Sequence, residues 1–218
     1  MIALDLFCGA GGVSMGLHRA GFEVIGVDIK PQPRYPFRFV QADALRPPFD
    51  LSRLDFIWAS PPCQGYTQMS ARYRGKGGVA DAHPKLIADV RRMLETSGAS
   101  WAIENVVGAR SEMPGAFVLR GAHFGLRVDR PRLIETSFFL LQADSGRRRR
   151  DIVGVYGTKP DGRRLWKDLR AARGLAEGSE AMGIDWMEWD ELTESIPPAY
   201  SEFIGRAALA SLANRSAA

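Results

Sequence analysis

The chain has 218 residues, 45% of them hydrophobic and 25% charged, and a formal net charge of +4 at pH 7. This composition is typical of a globular chain that buries one core, and no apolar run reaches the roughly 18 residues of a membrane helix. Two cysteines exclude a disulfide framework, and three scattered histidines give no metal-ligand spacing. The N-terminus also lacks a charged leader region. From these cysteine, histidine and leader patterns together, we expect a reduced, metal-free, cytoplasmic protein.

The first hundred residues alternate strand-like and helical stretches. The strand-like runs are IALDLF, FEVIGVD, RFVQAD, LDFIWAS and SWAIENV. VSMGLHRA and HPKLIADVRRMLETSG have apolar residues at helical spacing, and Gly98 ends the second of them. Such alternation predicts an α/β, Rossmann-like fold in which helices cover both faces of a mostly parallel sheet.

The later part of the chain is less regular. PRLIETSFFLL and DIVGVYG predict two strands, which could pair as a hairpin, and SEFIGRAALASLANR predicts a last helix. Gly146 to Arg173 contains ten Lys or Arg residues against three Asp. This segment is either a solvated surface or a site for a polyanion, whose counterions it would displace.

A glycine-rich turn follows the first strand, in DLFCGAGG. Its glycines let the backbone turn tightly and approach a ligand. Asp28 ends the second strand 21 residues after Phe7, where a carboxylate can accept hydrogen bonds from ribose hydroxyls. Asp43, after the third strand, either reaches an adenine or serves as a turn residue. Because the turn departs from G-x-G-x-x-G, it favours an adenosine-type cofactor over the dinucleotide of a dehydrogenase.

Cys63 follows two prolines, directly after the apolar run LDFIWA. A packing cysteine would lie inside that run, whereas Cys63 lies beyond it, at the edge where open α/β sheets build their sites. On these residues alone, both a structural and a chemical role stay open. Cys8, in the glycine turn, is expected to pack rather than to react.

Five motifs occur in the order DLFCGAGGVSMGL, GVDIKP, QADA, PPCQGYT and WAIENV. They resemble the successive motifs of the DNA (cytosine-5) methyltransferases, strongly over Ile2 to Thr136 and loosely over Gly178 to Leu209. In the segment that resembles the family's Gln-x-Arg-x-Arg motif, Val128 replaces the glutamine. In the closing motif, Thr193 and Glu194 stand where Gly-Asn is common.

This resemblance implies that a methyl group passes from S-adenosyl-L-methionine to carbon 5 of a cytosine flipped out of double-stranded DNA. The Cys63 thiolate would add to carbon 6 while Glu104 hydrogen-bonds to nitrogen 3 or protonates it. Arg132 would contact the ring's carbonyl oxygen, Arg130 would support the neighbouring site, and Asn105 would brace the cysteine loop. A transfer RNA cytosine-5 methyltransferase of similar fold is the alternative.

The turn and the resemblance together predict the ligand-binding residues and the organisation of the chain. We expect a catalytic and cofactor-binding core at 1–137, a short basic target-recognition segment at 138–177, and a return to the core at 178–218. We also expect a monomer that acts beside a cognate restriction endonuclease or in a phage. Residues 64–82 suit a lid over the flipped base. The predicted cofactor-binding residues are Phe7, Gly9, Gly11, Gly12, Asp28, Ile29, Asp43, Ala44 and Pro61, and the predicted DNA-binding residues are Gln64, Arg72, Arg74, Arg147, Arg148, Arg149 and Arg150.

Overall fold

A seven-stranded sheet forms the centre of the computed structural model, which describes residues 1–66, 84–141, 146, 150–166 and 169–216. The strand order is β3-β2-β1-β4-β5-β7-β6. Strands β1 to β5 run parallel, and β7 is antiparallel to both of its neighbours. The predicted Rossmann-like, mostly parallel α/β fold is confirmed. The strands are β1 Ile2–Leu6, β2 Glu23–Asp28, β3 Arg38–Gln41, β4 Phe56–Ala59, β5 Ser100–Val106, β6 Phe117–Leu119 and β7 Arg132–Thr136.

Helices cover both faces of this sheet, because the buried strands are apolar on both sides. In β4, Phe56 and Trp58 pack in one apolar cluster, while Ile57 and Ala59 pack in the other. Successive side chains of a strand point to opposite faces, so this continuous apolar run requires cover on each. Helices α1 (Gly12–Ala20) and α5 (Pro198–Ser216) cover the first face, and α2 (Ile87–Ser97) covers the second.

Helices α1 and α5 pack closely, although they lie at opposite ends of the chain. A Cβ atom at Gly16 would lie 2.1 Å from the carbonyl oxygen of Pro198 and 2.1 Å from Oγ of Ser201. Oγ of Ser201 donates a hydrogen bond to the carbonyl oxygen of Val13 at 2.8 Å. Glycine at position 16 therefore allows the last helix to close against the first.

A second, three-stranded sheet lies within the predicted recognition segment. Its strands are β8 Val153–Gly154, β9 Arg164–Trp166 and β10 Leu169–Ala171. The possible hairpin between the strands of PRLIETSFFLL and DIVGVYG is wrong, since β7 pairs with β5 and β6 while β8 pairs with β10. The physical reason is burial: β7 completes the large core, whereas Val153 joins a separate apolar cluster.

That third cluster also includes residues of the short helices α3 (Leu175–Met182) and α4 (Trp189–Glu194). Arg170 pairs with Glu177 of α3, with 2.5 Å between Nη2 and Oε1. Arg127 also contacts this carboxylate. The hydrogen bonds from Arg170 lower the pKa of Glu177 to about 2. Part of the basic segment's charge is therefore balanced within the protein, and α3 crosses the predicted boundary at 177/178.

Within the ranges that the structure describes, no helix combines the length and apolar character needed to cross a bilayer. The same ranges hold no group of three or more His, Cys, Asp and Glu side chains that could surround a metal ion.

Candidate active site

The cysteine turn leaves the sheet at the end of β4. The N–H of Tyr66 donates to the carbonyl oxygen of Cys63 at 2.9 Å, and Nδ2 of Asn105 donates to the carbonyl oxygen of Pro61 at 2.9 Å. Asn105 lies near the end of β5, which runs parallel to β4, so both strands deliver these residues to the same edge. Cys63 is only partly buried, in contrast to buried Cys8. Cys63 is therefore held at the C-terminal edge of the sheet with part of the residue accessible.

Glu104 and Arg132 form an ion pair beside this turn. Nε of Arg132 lies 2.9 Å from Oε1 of Glu104. In the antiparallel register of β5 and β7, Glu104 is opposite Ile134 and Val106 is opposite Arg132, so the two charged residues are diagonal neighbours. Both side chains are largely buried, and a buried charge requires such a partner. The antiparallel strand thus places a cation against the carboxylate of β5.

The charges of Glu104, Arg132 and Arg130 change the pKa of the Cys63 thiol. Burial raises the pKa of Glu104, and Arg132 opposes that rise. Burial likewise raises the pKa of Cys63, and the negative charge of Glu104 raises it further, while Arg132 and Arg130 lower it. The resting thiol is therefore mainly protonated at neutral pH, and loss of the charge on Glu104 favours the thiolate.

Arg130 is almost completely buried and connects three parts of the chain. Its guanidinium donates to the carbonyl oxygen of Val155 at 3.0 Å and to that of Thr193, and it lies 5.5 Å from the centre of the Tyr156 ring. Burial lowers the pKa of Arg130 to about 10, and Arg132 adds to this effect. Nε of Arg130 has no hydrogen-bond partner among the described residues. Arg130, which lies just before β7, therefore connects this strand to the residue after β8 and to α4.

The glycine turn between β1 and α1 has an unusual backbone. Phe7, Gly9 and Gly11 have φ angles of 61°, 49° and 89°, and a positive φ is costly for phenylalanine. A Cβ atom at Gly12 would lie 2.0 Å from Oγ of Ser195 and 2.5 Å from the backbone oxygen of Ile196. The turn is thus strained, and only glycine fits at position 12, where Ser195 and Ile196 approach it.

Asp28 lies at the tip of β2 and faces this turn. Its Oδ2 accepts a hydrogen bond from the N–H of Gly9 at 3.0 Å, and its Oδ1 accepts one from the N–H of Lys30 at 3.0 Å. A carboxylate has about four lone-pair sites, so acceptor capacity remains for a ligand. The adjacent Ile29 is 68% exposed and offers an apolar surface at the same edge.

The remaining predicted cofactor residues lie on neighbouring strands. Asp43 is exposed beyond β3, and its Oδ1 accepts a hydrogen bond from the N–H of Leu45 at 2.9 Å, which is the turn geometry of the structural alternative. Ala44 and Pro61 are buried. Because β1 to β4 are parallel neighbours, all of these residues lie at one edge of the sheet.

This edge fits S-adenosyl-L-methionine. The N-terminus of α1 has no side-chain cap, so its first N–H groups suit a carboxylate. Beneath the turn, Asp5 is fully buried, and burial raises its pKa to about 7. One of its oxygens accepts from Oγ of Ser14 at 2.5 Å, while Oδ1 is unpartnered among the described residues. The N–H groups of α1 and the Asp28 carboxylate therefore suit the carboxylate and ribose hydroxyl groups of the cofactor, whereas Oδ1 of Asp5 is enclosed by protein.

Most of the predicted DNA-binding residues fall in segments that the structure does not describe. Arg72, Arg74 and Arg147 to Arg149 lie outside the described residues. Gln64 is exposed in the cysteine turn, and Arg150 is exposed shortly before β8. The proposed lid at 64–82 is described only up to residue 66.

Two contacts around the site were missed by the sequence analysis. Nε1 of Trp186 donates to the carbonyl oxygen of Ala10 at 2.8 Å, and the hydroxyl of Tyr66 lies 2.7 Å from Oε2 of Glu112. Buried Trp and Tyr side chains usually satisfy their polar atom, which is a signal that a partner exists. The sequence does not indicate which partner it is.

Comparison with known proteins identifies the family. The sequence profile of the C-5 cytosine-specific DNA methylases matches residues 1–117. The type II methyltransferase M.XorII of Xanthomonas oryzae pv. oryzae is 30% identical in an alignment 171 residues long, gaps included, which covers 61% of this chain and 39% of that protein. M.HgiDI of Herpetosiphon aurantiacus is 28% identical in an alignment 123 residues long, gaps included, which covers 50% of this chain and 38% of that protein. The chain thus spans well under half the length of these two relatives.

Two solved structures share the fold over nearly the whole chain. One is assigned as a DNA modification methyltransferase encoded within an E. coli prophage, with a TM-score of 0.65, 15% identity, and coverage of 98% of this chain and 99% of that one. The other is the S. pombe Dnmt2 methyltransferase, with a TM-score of 0.59, 14% identity, and coverage of 97% and 99%. The motifs, the methyltransferase fold and a family profile that matches more than half of its length together establish that the chain belongs to the C-5 cytosine-specific DNA methylases.

Proposed function

We propose that this protein transfers a methyl group from S-adenosyl-L-methionine to carbon 5 of a cytosine flipped out of double-stranded DNA, and that Cys63 forms a covalent adduct with the base. The observation that carries the proposal is the placement of Cys63, Glu104 and Arg132 at the same sheet edge as the glycine turn. A nucleophile, a proton donor and a cation beside a cofactor turn are the groups this chemistry needs.

Cys63 and Glu104 activate the base together. Carbon 5 of cytosine becomes nucleophilic only after the Cys63 sulfur has bonded to carbon 6 and nitrogen 3 has taken a proton. Glu104, whose pKa is raised by burial, is the donor of that proton. Since the negative charge of Glu104 raises the pKa of Cys63, a proton on Glu104 favours the thiolate. Protonation of Glu104 therefore supplies the proton for nitrogen 3 and also lowers the pKa of the Cys63 thiol.

The other side chains orient the reacting groups. Arg132 holds the Glu104 carboxyl and directs positive charge toward the carbonyl oxygen of the ring, and Asn105 fixes the cysteine turn through Pro61. The glycine turn, Asp28 and Ile29 hold S-adenosyl-L-methionine, which when bound supplies an electrophilic methyl group for carbon 5. A water molecule acting as a base then removes the proton from carbon 5, the Cys63 sulfur leaves carbon 6 as a thiolate, and nitrogen 3 returns its proton to Glu104, which restores the ring.

Bisulfite sequencing tests this function. Plasmid DNA from cells that express the wild-type protein should carry 5-methylcytosine at one recurring sequence word, and DNA from cells that express Cys63→Ser should carry none. A hydroxyl keeps the shape of the thiol but is a far weaker nucleophile at neutral pH. Methylation by Cys63→Ser at the wild-type level would contradict the covalent mechanism.

Purified protein, labelled cofactor and a choice of nucleic acids then define the substrate. Label on duplex DNA supports the proposal, whereas label on transfer RNA and none on DNA would establish the alternative substrate. The names of the type II relatives also favour a restriction–modification context, in which a cognate endonuclease would cut the same sequence word when it is unmethylated.

A further inference from the structure

Residues 186–196 form the C-terminal segment that approaches the glycine turn, and this segment departs from the family pattern. Thr193 and Glu194 stand where Gly-Asn is common, which leaves open what connects this segment to the turn. A direct polar contact with the turn is made earlier in the segment, where Nε1 of Trp186 donates to the carbonyl oxygen of Ala10 at 2.8 Å. These two residues are 176 positions apart in sequence.

Ala10 lies at the most adaptable point of the turn. It is flanked by Gly9 and Gly11, which both have left-handed backbone, and glycine loses more conformational freedom on folding than any other residue. The N–H of Gly9 is held by Asp28, and the N–H of Gly11 donates to the carbonyl oxygen of Cys8 at 3.0 Å. The bond from Trp186 adds a second restraint on the Ala10–Gly11 peptide group, this time at its carbonyl oxygen.

Trp186 is itself held in place. Its ring packs against the apolar cluster formed by the small sheet, α3, α4 and Ala10. The same segment is tied to the loop after β2, because Arg34 contacts Glu188 at 2.9 Å and Glu191 at 2.8 Å. The segment therefore braces both the glycine turn and the loop that follows Asp28.

We propose that Trp186 is a positioning residue for S-adenosyl-L-methionine: its indole N–H fixes the Ala10 carbonyl and thereby the shape of the turn that receives the cofactor. This inference rests on the proposed function, because it takes the turn to be the cofactor site. An indole N–H is a donor only, so the restraint disappears when the nitrogen is replaced by carbon.

The test compares two Trp→Phe variants by titration calorimetry with S-adenosyl-L-methionine. Trp186→Phe removes the bond to Ala10, and Trp189→Phe is the matched control, because its Nε1 donates to the carbonyl oxygen of Gly157, also at 2.8 Å. The Kd should rise about 3- to 10-fold in Trp186→Phe, the range expected for the removal of one hydrogen bond, and should stay at the wild-type value in Trp189→Phe. In methylation assays over a range of cofactor concentrations up to saturation, Trp186→Phe should show a higher KM for the cofactor and an unchanged kcat.

The possible results separate the two proposals. Wild-type affinity in Trp186→Phe, or equal losses of affinity in both variants, would overturn the role of Trp186. A wild-type protein that binds no S-adenosyl-L-methionine would instead overturn the proposed function. If circular dichroism shows that Trp186→Phe is not fully folded, benzothienylalanine at position 186 replaces it, since this side chain keeps both rings and lacks the donor.

Discussion

Nε of Arg132 lies 2.9 Å from Oε1 of Glu104, and this contact links two strands that run in opposite directions. The carboxylate raises the pKa of Cys63 and the guanidinium lowers it, so the thiol responds to the balance between them. The same carboxyl group is the proposed proton donor. Removal of its charge should therefore change the reactivity of the thiol and the activity of the enzyme in opposite directions.

Glu104→Gln tests this opposition. The variant should alkylate faster than the wild type at Cys63, because the pKa of the thiol falls when the neighbouring negative charge is removed. Its methyl-transfer rate should fall by about 10²- to 10⁴-fold, the usual contribution of a general acid. Iodoacetamide labelling as a function of pH, read by peptide mass spectrometry, should place the Glu104→Gln curve at lower pH than the wild-type curve.

Cys8 provides an internal control for that experiment. It is buried, and burial raises the pKa of its thiol strongly, so it should stay unlabelled in both proteins. An alkylation curve for Glu104→Gln that lies at higher pH than the wild-type curve would contradict the assigned electrostatics.

Asp28→Ala should weaken binding of S-adenosyl-L-methionine by about 1.5–3 kcal/mol, because the ribose loses a charged hydrogen-bond partner. Asp28→Asn should lie between Ala and the wild type, since an amide oxygen can still accept from the N–H of Gly9. Calorimetry measures both values. Asp50→Ala, which removes an exposed acid that caps the turn at Leu51–Arg53, is the control for the removal of a negative charge. Unchanged cofactor affinity in Asp28→Ala would refute the ribose assignment.

Glu112 contacts residues on both sides of segment 67–83. Its Oε2 accepts from the hydroxyl of Tyr66 at 2.7 Å, and its Oε1 lies 3.4 Å from Nζ of Lys85. Because the N–H of Tyr66 is bonded to the carbonyl oxygen of Cys63, removal of this anchor should loosen the cysteine turn. Tyr66→Phe and Glu112→Ala should each slow methyl transfer about 3- to 10-fold, as expected for the removal of one hydrogen bond, and leave the affinity for the cofactor unchanged.

The rate of covalent trapping on duplex DNA that contains 5-fluorocytosine measures this effect. Lys85→Ala is the comparison, because an exposed ion pair contributes only about 0.2–1 kcal/mol and its removal should change the rate less. Trapping by Tyr66→Phe at the wild-type rate would show that the anchor does not influence the nucleophile.

The basic segment Gly146 to Arg173 should act mainly on DNA phosphates. Replacement of Arg147 to Arg150 by alanine should lower affinity for all duplexes and flatten the salt dependence, by up to about 0.9 for each phosphate that is no longer neutralised. Phosphate contacts position a protein without reading sequence, so the recognised word should be short, about two to four base pairs. Fluorescence anisotropy over a salt series, with methylatable and scrambled duplexes, measures the slopes.

A charge-matched control separates this contact from a general decrease in positive charge. It replaces four exposed arginines on the helices of the main sheet, namely Arg19, Arg92, Arg206 and Arg215. If the control flattens the salt dependence as much as the variant in the basic segment, that segment is only a solvated surface.

The sequence was most informative where local pattern and strand order coincide. Parallel strands end at one edge, so the residues after β1, β2 and β4 could be assigned to one site from the sequence alone. The insertion of β7 between β5 and β6 depends on long-range pairing, and the hairpin alternative failed there. Partners such as Trp186 and Ala10 are equally invisible, because nothing local specifies a contact over 176 residues. In the basic segment, a count of charges could not reveal that Glu177 balances Arg170.

The packing of Trp186 and Ser195 against the glycine turn has a consequence for biosynthesis. Cys63, the glycine turn and Asp28 all lie within residues 1–66, whereas Trp186 and Ser195, which back the turn, are synthesised much later. Because contacts between distant parts of a chain form late, the nascent chain carries an accessible thiol well before its cofactor turn is supported. A product that terminates before residue 186 would keep Cys63 and lack the residues that complete the turn.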